Sequence, residues 1–150
     1  MIIRKASVND IPAIKSIIDI YAKQELMLPR SLSELYEFTR SFHVCEIEGE
    51  IAGCCALQVS WEDMAEVLSF AVKQEYRDTG IGTKLVKACL EEAKDIGVNE
   101  VFTLTYAVPF FEKQDFKIID KQMLPHKVWT GCIKCPKFPN CDEVAMMKKI

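Results

Sequence analysis

The stretch Phe70-Ala71-Val72-Lys73-Gln74-Glu75-Tyr76-Arg77-Asp78-Thr79-Gly80-Ile81-Gly82-Thr83 decides the reading of this chain. It leads from a strand-like run at 66–72, rich in branched and aromatic residues, into a helical stripe. That stripe is Ile81, Leu85, Ala88, Cys89, Ala93 and Ile96, ended by Gly97. A helix N-terminus carries unpaired N–H groups and the positive end of the dipole, so it suits an anion. Glycines let the backbone come close. Amides from Arg77 to Thr83 would suit a pyrophosphate. A P-loop is excluded, because Thr83-Lys84 follows Gly82 where Lys-Ser/Thr is needed. A dinucleotide fingerprint is excluded by Leu85 in place of its third glycine. A plain strand-to-helix turn remains the alternative reading of an isolated Gly-x-Gly.

Upstream, Ile2 and Ile3 predict a short strand. Ser7, with Asp10 three residues on, predicts a capped helix start. Ile11, Ile14, Ile17, Ile18 and Tyr21 follow at helical spacing, and Leu28-Pro29-Arg30 breaks this helix. A shorter helix is predicted from Ser31 or Ser33 to about Arg40. Residues 42–47 and 51–59 read as strands joined by a tight turn at Gly49. Downstream, 101–104 predicts a strand. Phe110, Phe111 and Phe116 bracket a short helix before another strand, and 144–147 predicts an edge or hairpin strand. Antiparallel runs with one strand–helix–strand crossover imply an α/β (α+β) fold with a mixed sheet.

The 150 residues make one domain with enough chain for a real core. A net charge of -3 provides no basic excess for a nucleic-acid backbone. The longest apolar run falls far short of the roughly 20 residues of a membrane helix. No signal peptide is evident, and seven cysteines, an odd number, argue for a reducing, cytoplasmic compartment.

The pattern Phe70-Ala71-Val72-x4-Arg77-x-x-Gly80-x-Gly82, in this order of elements, resembles the acetyl-coenzyme A signature of the GNAT N-acetyltransferases. The resemblance implies acetyl-CoA as cosubstrate. Phe70, Ala71 and Val72 would offer backbone groups to its pantetheine arm, on a strand splaying from its neighbour near Leu104. Arg77, Asp78, Thr79, Gly80, Ile81, Gly82 and Thr83 would cradle its pyrophosphate. Asp78 departs from the family pattern, because an acid there repels phosphate unless it turns to solvent.

Leu28-Pro29-Arg30-Ser31, Ala65-Glu66, Leu104-Thr105 and Leu124-Pro125-x-Lys127 are similar to the acetyltransferase domain of the N-acetylglutamate synthases. That resemblance implies a stand-alone short form acetylating the α-amine of an amino acid, L-glutamate, in arginine biosynthesis. It places Arg30 at the substrate carboxylate, with Lys127 as a further candidate. Glu66 is the candidate general base, because an ammonium must lose a proton before it attacks a thioester. A backbone N–H near Phe70 or Ala71 would meet the developing oxyanion. The synthases' arginine after the Leu-Thr stretch is replaced by Tyr106-Ala107. Phe110 and Phe111 stand where many relatives have a tyrosine acid, which leaves Tyr106 as the hydroxyl candidate. Asp115-Phe116 replaces the usual Gly-Phe, at a cost in turn geometry. A homodimer is suggested by the resemblance alone.

Other readings stay open: a GNAT enzyme for another small amine or a protein N-terminus, or an acetyl-CoA-binding module without turnover. Cys45, Cys54, Cys55 and Cys89 read as core residues. Cys132, Cys135 and Cys141, with His126, read first as a loop of free thiols. A metal clip and a disulfide are the alternatives, and no metal is assigned.

Overall fold

The structure is a computed structural model that describes residues 1–124 and 142–150. Lys127, His126, Cys132, Cys135 and Cys141 lie outside the described residues. Among the described residues, seven strands form one sheet: β1 (Ile2–Lys5), β2 (Phe42–Ile47), β3 (Glu50–Trp61), β4 (Met64–Val72), β5 (Glu100–Thr105), β6 (Lys117–Ile118) and β7 (Val144–Lys149). Their order is β1-β2-β3-β4-β5-β7-β6. Every pair is antiparallel except β4 with β5. The helix between those two, α3 (Ile81–Asp95), is the predicted crossover. The segment 144–147 was expected as an edge or hairpin strand, and the strand observed is Val144–Lys149. It lies inside the sheet, between β5 and β6, because all six of its residues pair with β5.

Period-two alternation sorts the sheet's side chains onto two faces. Val44, Cys54 and Ala56 pack against α1 (Ile11–Lys23) and α2 (Leu32–Glu37). Cys45, Cys55, Leu57, Ala65, Val67 and Val101 pack against α3 on the other face. Ile11, Ile14, Ile17 and Ile18 are fully buried, each contributing about 1.5–3 kcal/mol of transfer free energy. The four cysteines read as core residues are indeed buried and free. Burial pushes the Cys54 thiol up to about 12, so it stays an inert hydrophobe.

The predicted capping at Ser7 is present, with the Asp10 carboxylate accepting from the Ser7 backbone N–H at 2.8 Å. A single 3₁₀ turn, Val8–Asp10, comes between Ser7 and α1. The end of α1 differs from expectation. It stops at Lys23, ahead of Leu28-Pro29, because Glu25 takes φ 59 and closes a Schellman motif. Glu25 N–H donates to the Ala22 carbonyl and Leu26 N–H to the Tyr21 carbonyl. Helix α2 is six residues long rather than reaching Arg40, and of the two starts offered, Ser31 and Ser33, it is Ser31 that caps it. A 3₁₀ turn, Thr39–Ser41, fills the remainder. The β2–β3 turn uses positive φ at both Glu48 and Gly49, the two-residue hairpin that suits strand twist.

Candidate active site

The parallel β4–β5 ladder is short. It pairs Met64 with Glu100, Ala65 with Val101 and Glu66 with Phe102, then stops. Thr103 Oγ1 donates to the Val67 carbonyl at 2.9 Å, one step further along. Among the described residues, no strand pairs with residues 68–72 on this side. The two strands diverge, as the resemblance to the GNAT family implied near Leu104.

A bulge in β4 shapes the opening. Cys54 pairs with Ala71 and Ala56 with Leu68, so β4 has one residue more than β3 over this interval. Ser69 takes φ 50 at that point. The extra residue flips the pleat. Leu68 and Ala71 both face the α1 side, while Phe70 and Val72 face the α3 side. A straight alternation would have put Leu68 and Phe70 on one face. Nothing in Leu68-Ser69-Phe70 announces this in the sequence.

A cleft of about 720 Å³ runs through the opening from one face of the sheet to the other. At the α1 end it is lined by Tyr21, Leu26, Met27, Leu68, Leu104 and Glu143. At the α3 end it is lined by Arg77, Asp78, Gly80, Thr83, Lys113 and Gln114. Its waist holds Phe70, whose ring stacks on Phe110 at 5.1 Å between centroids. Phe110 lies on α4 (Val108–Lys113).

Of the residues proposed for the cofactor, Phe70, Ala71, Val72, Arg77, Asp78, Gly80, Ile81, Gly82 and Thr83 line the cleft, as does Tyr106. Thr79 does not, because its hydroxyl is turned back to the Tyr76 carbonyl. Asp78 is exposed and sits at φ 61, a left-handed conformation that Asp tolerates better than most residues.

The two glycines have different reasons. Gly80 takes φ 87 as the N-cap of α3, with open space where a Cβ would stand. Gly82 has ordinary φ, but a Cβ there would lie 2.9 Å from Phe70 Cζ and 3.2 Å from Phe110 Cε1. Close approach by these aromatic rings already requires Gly82 to lack a side chain.

Unpaired β4 backbone, the N-terminal amides of α3 and the cations Arg77 and Lys113 fit an elongated ligand with phosphates at one end. Signals for Lys113, Gln114, Tyr21 and Glu143 were missed. They come from elements whose place at the cleft depends on how the sheet opens.

Glu66 is half-buried on β4, on the same face as Leu68. Burial pushes its carboxyl up to about 7. The charge of Glu143 adds to this and that of Arg30 opposes it. The structure therefore brings the predicted pair Glu66 and Arg30 into one electrostatic environment, beside rather than lining the cleft. Arg30 is mostly covered. Its Nη1 reaches Glu34 Oε2 at 3.4 Å, a long contact within the α2 cap. The Tyr106 hydroxyl donates to Asp142 Oδ1 at 2.5 Å, just before β7.

Among the described residues, no helix is long and apolar enough to cross a membrane, and no group of His, Cys, Asp and Glu could hold a metal.

Comparison with known proteins gives the same fold. The profile described as the acetyltransferase (GNAT) family matches residues 13–116. An uncharacterised N-acetyltransferase of Chlorobaculum tepidum is 40% identical over 99% of this chain and 96% of its own length. An amino-acid acetyltransferase of Mycobacterium tuberculosis is 36% identical over 79% of this chain and 70% of its own. The crystal structure of Rv2747 from Mycobacterium tuberculosis, in complex with CoA and NLQ, superposes with a TM-score of 0.86. It is 30% identical, covering 100% of this chain and 99% of that one. The chain belongs to the acetyltransferase (GNAT) family and is an acetyl-CoA-dependent N-acetyltransferase.

Proposed function

We propose that the enzyme transfers acetyl from acetyl-CoA to the α-amine of L-glutamate by direct attack, with Glu66 as general base. The observation that carries this reading is Glu66 itself. It is a carboxyl at the last β4–β5 pair before the strands part, with a pKa raised by burial to about 7 against the opposing charge of Arg30. A base titrating near neutrality combines correct ionisation with proton affinity. The likeness to an amino-acid acetyltransferase supports an amino acid as acceptor. With L-glutamate, the product starts arginine biosynthesis.

When bound, acetyl-CoA supplies a thioester whose carbonyl carbon accepts the amine. The unpaired β4 edge binds its pantetheine arm, and the amides leading into α3, with Arg77, hold its pyrophosphate. Glu66 removes the proton from the amine, directly or through a water. A backbone N–H near Phe70 or Ala71 donates to the carbonyl oxygen as it gains charge. Arg30 pairs with a substrate carboxylate, and Lys127 is the second candidate for this role. Tyr106, whose hydroxyl is held by Asp142, is the candidate acid for the leaving thiolate.

A thiol-release screen tests the proposal, with acetyl-CoA and single acceptors: L-glutamate, other amino acids, a polyamine and a peptide with a free N-terminus. Glutamate should release thiol fastest, and Glu66→Gln should slow it by about 10²–10⁴. Faster turnover of the polyamine or peptide would replace the acceptor. Acetyl-CoA binding with no thiol release for any of them would leave a module without turnover.

A further inference from the structure

Gln114 lines the α3 end of the cleft, and the mechanism above gives it no part. Its backbone is fixed twice over. Its N–H donates to the Phe111 carbonyl at 3.0 Å, where α4 ends, and its carbonyl accepts from Lys148 Nζ of β7 at 3.1 Å. From that anchorage the side chain reaches across to α3. Gln114 Nε2 donates to Thr83 Oγ1 at 3.1 Å.

The direction of this bond constrains Thr83. An amide nitrogen only donates, so the Thr83 oxygen must accept, and its own hydrogen is left to point elsewhere. A threonine inside a helix often turns that hydrogen back to a carbonyl one turn earlier. Thr83 does not: among the described residues its hydroxyl has no acceptor, and Thr83 lines the cleft.

Thr83 is also the third residue of α3. Helical bonding begins with the Lys84 N–H, which donates to the Gly80 carbonyl at 3.2 Å. The amides of Ile81, Gly82 and Thr83 come before it, and Gly80 as N-cap has no side chain to cover them. The spare hydroxyl hydrogen therefore joins a group of donors at one helix end.

We propose that Gln114 is a positioning residue of the cofactor site: by donating to Thr83 Oγ1, it keeps the Thr83 hydroxyl hydrogen for a pyrophosphate oxygen of acetyl-CoA. This rests on the reading that the amides leading into α3 hold the pyrophosphate.

A phosphate oxygen only accepts, so its site gains from each group held as a donor. A hydroxyl left to itself donates in some orientations and accepts in others. Gln114 removes that freedom before the ligand arrives. Arg77 and Lys113 bring charge to the same end of the cleft, and Gln114 brings direction.

The test is a double-mutant cycle on the full chain, read as calorimetric affinity for CoA. Thr83→Val should weaken CoA about tenfold, the loss of a hydrogen bond to a charged oxygen. Gln114→Met, similar in length and without a donor, should weaken it about threefold. In the Thr83→Val background Gln114→Met should cost nothing more. In the Thr83→Ser background, which keeps a hydroxyl, it should cost the same as in the parent. An equal loss from Gln114→Met with and without the Thr83 hydroxyl would mean that Gln114 touches the ligand itself or only braces α4, and overturns the proposal.

Arg77→Gln separates this failure from that of the underlying reading. If Arg77→Gln and Thr83→Val both leave CoA affinity in place, the phosphates lie elsewhere and the proposal falls with the loop reading. If Arg77→Gln weakens CoA while Thr83→Val or Gln114→Met does not, the loop reading stands and the part given to Gln114 is overturned alone.

Discussion

Thr103 donates its side-chain hydroxyl to the Val67 carbonyl at 2.9 Å, immediately beyond the last β4–β5 backbone pair. The bond is buried and takes the place of a ladder hydrogen bond where the strands begin to part. Thr103→Val keeps the shape and leaves a buried carbonyl unpaired, at a cost of about 1–3 kcal/mol. Thermal unfolding should show this as a loss of about 2–4 °C per kcal/mol, with a higher KM for acetyl-CoA. Thr103→Ser should restore both, and an unchanged Thr103→Val variant would remove this bond from the account of the opening.

Glu66 links activity and stability with opposite signs. Its carboxyl is raised from 4.5 to about 7 by burial, so the folded protein holds this proton more tightly than the unfolded chain does. The associated stability is fully present below about pH 4.5 and is lost as the pH rises through about 7. Activity needs the deprotonated form, so kcat/KM should climb over the neutral end of the same window. Glu66→Gln should abolish the climb. It should also make the protein more stable than the parent at pH 8, by on the order of 2–3 kcal/mol, and nearly equal at pH 4. Parallel rate and melting profiles against pH check both halves.

Arg30 is mostly covered by its surroundings, and its contact to Glu34 is long at 3.4 Å. It therefore has hydrogen-bonding capacity left for a substrate carboxylate. Arg30→Ala should raise the amino-acid KM by about ten- to a hundredfold, the loss expected for a charge-assisted pair, and leave the acetyl-CoA KM alone. Because the Arg30 charge opposes the upward shift of Glu66, the same variant should move the acidic limb of kcat/KM to higher pH. An amino-acid KM that stays in place would remove Arg30 from the site.

Wherever local pattern decides, the sequence was a good guide. Ser31 caps α2, the spaced isoleucines bury one face of α1, and Gly97 closes α3 at φ 93. Arg77-x-x-Gly80-x-Gly82 sits between strand and helix as read. What escaped depends on pairing between distant segments. The Ser69 bulge exists because β3 and β4 differ by one residue over that interval, and serine does not signal a positive φ. The interior place of β7 is set by its six pairs with β5, far away in sequence. Glu143 reaches the cleft only through that placement.

The two glycines of the loop should respond differently to alanine. Gly80→Ala meets open space and costs the strain of φ 87, about 1–2 kcal/mol. Gly82→Ala drives a methyl to 2.9 Å from the Phe70 ring, which cannot retreat freely because it stacks on Phe110. Overpacking of this kind costs about 1–3 kcal/mol. Phe70→Leu should relieve Gly82→Ala and leave Gly80→Ala unimproved, as read by a double-mutant cycle in urea. Equal rescue of both would mean that the ring contact does not govern Gly82.

Asp115 shows the cost of a non-glycine residue at a helix end. It takes φ 68 after α4 and completes a Schellman motif, in which Asp115 N–H donates to the Glu112 carbonyl and Phe116 N–H to the Phe111 carbonyl. The motif seats Phe116 against Phe111 with ring centroids 5.2 Å apart, so the turn is fixed by core packing despite the strain. The Asp115 side chain is 86% exposed and reaches Lys148 only at 4.0 Å, which contributes little. Asp115→Gly removes the left-handed strain but gains chain entropy in the unfolded state. The strain is the larger of the two, so Asp115→Gly should stabilise by about 0.5–1 kcal/mol in urea unfolding. Asp115→Ala, which keeps a Cβ and loses the carboxylate, should gain nothing. Stabilisation by alanine equal to that by glycine would trace the cost to the carboxylate's charge instead of the backbone.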